Sequence, residues 1–158
     1  MDGQVLGLAA AKQLRENTDR AGIRLVTQVD LLEGAWAERP GLPAAAVYDH
    51  VPPQAPIGRP AKLALLRDAM ARHGATHHFV STVDDIAWIT NLRGADVDYN
   101  PVFLAHLMIS HHAATLFVGS GKVNAALEAA LAADGIVLAD YAGAAPALAA
   151  LGGGTRLL

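Results

Sequence analysis

The sequence predicts an α/β fold, a single layered domain with a central mixed β-sheet flanked by helices. Three observations predict it. Short apolar runs suited to strands alternate along the chain with longer runs rich in alanine and leucine that are suited to helices, the pattern of helices laid against a sheet. Two apolar runs, residues 102–109 and 113–118, are parted only by Ser110-His111-His112, the spacing of a β-hairpin. The 158 residues are 53% apolar and 17% charged, enough to bury one core and too apolar for disorder.

Residues 6–21 carry Lys12, Arg15, Glu16 and Arg20 around an alanine- and leucine-rich run that ends at Gly22, an amphipathic helix. Residues 23–29 alternate apolar and polar, a strand, and Asp30 can cap a short helix through Trp36. Residues 1–38 therefore form a helix-strand-helix prelude. Residues 39–59 hold Pro40, Pro43, Pro52, Pro53 and Pro56 without any sustained period. Proline fixes φ and removes a donor, so this stretch is expected to be an extended surface linker. Pro60 suits a first helical turn, and Leu63, Leu66 and Met70 continue a 3.6-residue stripe to Gly74. A buried strand over 76–81 follows, and the main α/β domain is placed at 60–158. The hairpin lacks the Asn-Gly or Asp-Gly pair that usually marks one. Past Gly119-Ser120-Gly121 come a helix over 123–133, a strand over 136–139, a short helix over 143–151, and the start of a strand at 155–158.

Composition excludes several classes of function. There is no cysteine, so neither a disulfide framework nor a thiolate metal site is available, and a cytoplasmic setting fits. The net charge is −3 without a basic cluster, which argues against nucleic acid. No apolar run is long enough to span a bilayer. No glycine-rich phosphate loop, His-Glu-x-x-His or Gly-x-Ser-x-Gly pattern occurs. His77-His78 and His111-His112 are neighbours, and neighbours on a strand face opposite sides, a poor start for a metal site.

The densest stretch is 82–101. Thr82 can cap a helix whose first turn holds Asp84 and Asp85, where negative charge meets the helix N-terminus. Ile86 and Ile89 share a face, with Trp88 expected as an aromatic anchor in the core. Gly94 is expected to supply the positive φ that turns the chain away. Asn91 and Arg93 are expected to bond loop carbonyls, and Asp96 to pair with Arg93 across the turn.

The series Asp84-Asp85-Ile86-Ala87-Trp88, Asn91-Leu92-Arg93-Gly94, Asp96-Val97 and Asn100-Pro101-Val102-Phe103 resembles the second N-terminal domain of the three-domain Xaa-Pro aminopeptidases (aminopeptidase P). These belong to the creatinase/prolidase family of pita-bread metallopeptidases. Trp36-Ala37-Glu38-Arg39-Pro40 resembles that family's Trp-x-Asp-Arg-Pro segment, with glutamate in place of aspartate. The likeness runs over roughly residues 20–158 and implies a creatinase/prolidase N-terminal fold.

The resemblance also implies a function. The chain would be a non-catalytic domain of an enzyme that removes the N-terminal residue from short peptides with proline second. It would serve packing, homo-oligomer assembly and substrate gating. Two divalent metals, manganese by family habit, would lie in a C-terminal catalytic domain held by Asp, Asp, His, Glu and Glu. No part of this chain matches that domain, so no catalytic or metal residue is assigned here and the chain alone is expected to be inactive. The candidate gating or interdomain contact residues are Arg93, Asp96, Tyr99 and Asn100. The structural motif residues are Asp84, Asp85, Trp88, Asn91, Gly94, Trp36 and Arg39. Two other readings stay open: a stand-alone α/β domain that binds a partner or small molecule, and the N-terminal domain of a prolidase or creatinase homologue.

Overall fold

The computed structural model describes residues 6–27, 29–32 and 34–158. The chain divides into two compact units, Met1–Gly41 and Leu42–Leu158. In the first, α1 (Leu8–Arg20) stands where a helix was expected, and Gly22 at φ 67° turns the chain out of it. The strand expected at 23–29 does not form among its described residues; Gln28 lies outside them. Among the described residues the unit offers no second strand to pair with, and an unpaired strand leaves its backbone groups unsatisfied. The helix expected from Asp30 through Trp36 is instead a pair of turns, with Glu33 outside the described residues. Asp30 Oδ1 accepts the Leu32 N–H at 2.9 Å, a local side-chain bond that competes with helix formation.

The second unit contains β1 (Tyr48–Asp49), α2 (Arg59–Arg72), β2 (His77–Val80), α3 (Val83–Thr90) and β3 (Leu92–Arg93). Then follow β4 (Ala105–Ser110), β5 (Ala114–Val118), α4 (Ala125–Ala133), β6 (Ile136–Asp140), a 3-10 turn and α5 (Ala144–Ala149). The main sheet has the order β2-β4-β5-β6. Its first two pairings are antiparallel, and β5 with β6 is parallel, so the sheet is mixed as expected. The parallel pair needs the crossover that α4 supplies. Asn124 starts α4 by accepting the Leu127 N–H at 2.9 Å, and Gly135 at φ 82° ends it.

The hairpin between β4 and β5 closes without Asn-Gly because Ser110 does the work of the turn. Its hydroxyl oxygen accepts the N–H groups of His112 and Ala113 at 3.3 and 3.0 Å. Along β4 burial alternates, with Ala105, Leu107 and Ile109 inward, the period-2 signature of a sheet face. Register sets Leu107 opposite Val80 and Leu116. The core lies between that face and the helices, with Leu63 and Met70 from α2, Ile86 and Ile89 from α3, and Leu127 and Leu131 from α4. Chain-end residue Leu157 bridges His77 in parallel, where the start of a strand was expected.

Residues 39–59 are expected to be an extended surface linker; from Leu42 onward they join the second unit instead. Val47 is buried and its N–H bonds Lys122 C=O at 2.8 Å. Tyr48 and Asp49 pair with Arg93 and Leu92 as a two-stranded ribbon, and Ala55 is buried. These anchors are single residues without a period, so no amphipathic pattern announces them.

Candidate functional site

Helix α3 sets the geometry of the site. Thr82 occupies its N-cap position without a side-chain capping bond, and Asp84 and Asp85 stand exposed in the first turn, where charge favours the helix start. Ile86, Ile89 and Thr90 are buried. At ~100° per residue Trp88 lies about 200° round from Ile86, on the side away from the core. It is 47% exposed. The expectation of a core tryptophan is therefore corrected, and the helical angle gives the reason. The ring instead roofs a buried cation, Lys62 of α2, whose Nζ stands 4.3 Å from its centroid, a cation–π contact.

Three cations converge on the C-terminal carbonyls of α3. Lys62 Nζ donates to Trp88 C=O at 2.6 Å and to Asn91 Oδ1 at 2.5 Å. Arg93 Nη1 donates to Ala87 C=O at 2.7 Å and to Leu92 C=O at 2.8 Å. Arg59 Nε donates to Thr90 C=O, while its other nitrogens reach Asp49 and Asp134. Carbonyls at a helix end carry partial negative charge and favour such donors. Burial first, and the neighbouring Arg93 charge second, hold the Lys62 pKa below that of an ordinary lysine. Lys62 and Arg59 lie in register with Leu63, Leu66 and Met70. A charged residue on an apolar helix stripe was the sequence signal for this node.

The turn out of α3 belongs to Asn91, not Gly94. Asn91 takes φ 51°, ψ 34°, the left-handed C-terminal position that asparagine tolerates, and its Nδ2 donates to Ile57 C=O at 2.8 Å. Gly94 is needed for another reason. A Cβ there would stand 2.6 Å from Phe103 Cβ, inside contact distance of a fully buried ring.

The loop 94–101 is fixed at its base and open at its tip. Asp96 does not pair with Arg93. Both of its carboxylate oxygens take Lys122 Nζ, and Oδ2 also accepts the Leu104 N–H at 2.7 Å. Lys122 and the Asp96 side chain are buried, and Nζ reaches Pro43 C=O at 3.1 Å. Lys122 sits 26 residues downstream in a glycine turn, which no local pattern in the sequence reveals. At the tip Tyr99 takes φ 62° and is fully exposed beside exposed Asn100. The structure thus brings Arg93 and Asp96 to the base of the loop and sends Tyr99 and Asn100 outward. Trp36 and Arg39 lie in the first unit; Trp36 is exposed and Arg39 forms an ion pair with Asp30.

Among the described residues no group of three or more His, Asp or Glu side chains could hold a metal ion. His77 faces Thr76 Oγ1 and His78 faces Leu158 C=O. The rings of His111 and His112 stand 6.4 Å apart at 58°. On the sheet, His106 is stacked between Phe79 and Tyr141, and burial lowers its pKa.

Residues 38–158 match the family model described as the creatinase/prolidase N-terminal domain. The chain is 32% identical over 141 residues to a protein of Talaromyces marneffei named probable Xaa-Pro aminopeptidase P, covering 87% of this chain and 21% of that one. It is 34% identical over 146 residues to a protein of the same name from Colletotrichum graminicola, covering 89% and 23%. The chain spans about a fifth of the length of the curated relatives it matches. Among solved structures, X-prolyl aminopeptidase from Caenorhabditis elegans, described as a cytosolic enzyme with a di-nuclear active site, superposes with a TM-score of 0.80 at 20% identity. That match covers 90% of this chain and 23% of the other, a likeness of fold.

Proposed function

The chain belongs to the creatinase/prolidase N-terminal domain family, and from that premise we propose that it is the non-catalytic N-terminal part of an Xaa-Pro aminopeptidase. The parent enzyme removes the residue before a proline from short peptides, as a cytosolic homo-oligomer. The observation that carries this reading is the pairing of two facts. An N-terminal domain model matches 38–158, while relatives named for the activity are several times longer than the stretch shared with this chain. Proline in second place lacks a backbone N–H, so cleavage of the bond before it calls for a dedicated site.

The described residues do not fit a two-metal centre, since they gather no set of ligands, and no chemical step is assigned to them. A pair of divalent ions, manganese in this proposal, belongs to the catalytic part. There it would activate water and polarise the scissile carbonyl. This chain packs against that part, and the loop 94–101 narrows its mouth so that short peptides enter and folded chains do not. A charged loop on a rigid scaffold suits such a role; the buried base at Asp96 and the exposed tip at Tyr99 support it.

The test is an assay of peptides with proline second, manganese supplied. The 158-residue chain alone is expected to release nothing, and the polypeptide encoded by its complete gene to cleave. In that enzyme Tyr99→Ala should raise kcat/KM for long peptides relative to tripeptides without changing thermal stability. Metal-dependent cleavage by the chain alone, or a gene that lacks the carboxylate and histidine ligands, would overturn the proposal.

A further inference from the structure

Three of the cations in the second unit are buried, Arg59, Lys62 and Lys122. Arg59 has Asp49 and Asp134, and Lys122 has Asp96. Lys62, 4% exposed, has no carboxylate within ion-pair distance among the described residues; its partners are a carbonyl and an amide oxygen. Arg93 beside it is in the same condition. Its Nη1 is taken by two carbonyls, and among the described residues Nε and Nη2 make no hydrogen bond. Asp84 and Asp85, one turn back on α3, form no ion pair with either cation. Carbonyl dipoles satisfy the donors but leave the formal charge, so two positive charges stand together in a half-desolvated place, where an unpaired charge is costly.

Each member of this uncompensated pair adjoins a half-exposed aromatic residue. Trp88, over Lys62, is half exposed, and so is Tyr48, the cross-strand neighbour of Arg93. An aromatic pair around an arginine is the composition of an interface centre. The charge calls for an anion, and the flanking rings call for an apolar neighbour.

We propose that Trp88, Tyr48 and Arg93, seated over Lys62, form the docking surface for a carboxylate side chain and its apolar flank on the protein's own catalytic part. This rests on the reading of the chain as an N-terminal domain and deepens it by naming the face and the chemistry of its partner. The arriving carboxylate takes the free Arg93 nitrogens and supplies the counter-charge that Lys62 lacks. The apolar flank covers Trp88.

The experiment titrates the 158-residue chain with the polypeptide encoded downstream of Leu158 in the same gene. The chain carries Trp36→Phe, so that Trp88 is its sole tryptophan. Expected results are tight association, loss of acrylamide quenching of Trp88 on binding, and weaker binding at 0.5 M than at 0.05 M salt. Arg93→Gln should weaken binding at least tenfold, whereas Arg93→Lys, which keeps the charge and serves as the folding control, should weaken it less. Isotope-labelled Lys62 should titrate at higher pH in the complex than in the free chain. Association with Trp88 still quenched as in the free chain, or untouched by Arg93→Gln, overturns this surface while leaving the domain assignment standing. No association at all overturns both.

Discussion

Replacing Asp96 by alanine breaks the most deeply buried ion pair among the described residues. Lys122 is 2% exposed and the Asp96 side chain 0%, so the change leaves a buried ammonium facing one carbonyl, Pro43 C=O. Breaking one side of such a pair costs about 3–5 kcal/mol. The Leu104 N–H loses its acceptor too, a loss of about 1–3 kcal/mol taken alone. Because one carboxylate serves both groups the terms overlap, and about 4 kcal/mol is the working figure. For a domain of this size that lowers Tm by about 16 °C. Urea unfolding followed by circular dichroism, with thermal melts alongside, measures it. Asp98→Ala, exposed on the same loop, should stay within about 0.5 kcal/mol. Asp96→Leu/Lys122→Met, which removes both charges and keeps volume, should recover most of the loss. A cost below about 1 kcal/mol for Asp96→Ala, or a double variant no better than the single, would show that the pair does not fix the loop and would refute the reasoning.

Gly94→Ala forces a methyl to 2.6 Å from Phe103 Cβ and should cost about 1–3 kcal/mol by overpacking, read from the urea midpoint. For Lys62 the folded-state pKa is lowered below 10.5, so the folded protein releases this proton before the unfolded one does. Its contribution to stability is therefore least favourable while both states are protonated. It improves as pH rises through the lowered folded value towards 10.5. Unfolding free energies of wild type minus Lys62→Met across the alkaline range should show that rise, with a slope no steeper than about 1.4 kcal/mol per pH unit; a flat difference would contradict it.

Periodic elements were legible and single anchors were not. The alternation along β4 and the stripe Leu63, Leu66, Met70 are written as repeats, so strand and helix follow from counting. The ordered series from Asp84 to Phe103 carried the family for the same kind of reason, many residues at fixed spacing. Trp88 has the aromatic character of a core anchor, but its helical angle from Ile86 turns it towards solvent. Glycine is the commoner left-handed residue, which points to Gly94, but that glycine serves tight packing on Phe103 and the turn falls to Asn91. Arg93 is the cation near Asp96 in sequence, but the partner of Asp96 is Lys122, which only the fold brings close. The strand at 23–29 shows the converse. Alternation alone is no strand when nothing lies beside it to accept the hydrogen bonds.

The proline-rich approach to α2 bears on where this polypeptide can be cut. A fragment trimmed to begin at Pro60 would lose both Asp49 and Arg59, leaving Thr90 C=O without its donor and Asp134 without its cation. It would also strip the partner strand from Leu92 and Arg93 and the Pro43 acceptor from Lys122. Anyone isolating the smallest autonomous folding piece should therefore open it before Pro43, and a library of staggered starting points should yield soluble, protease-resistant material only upstream of that residue.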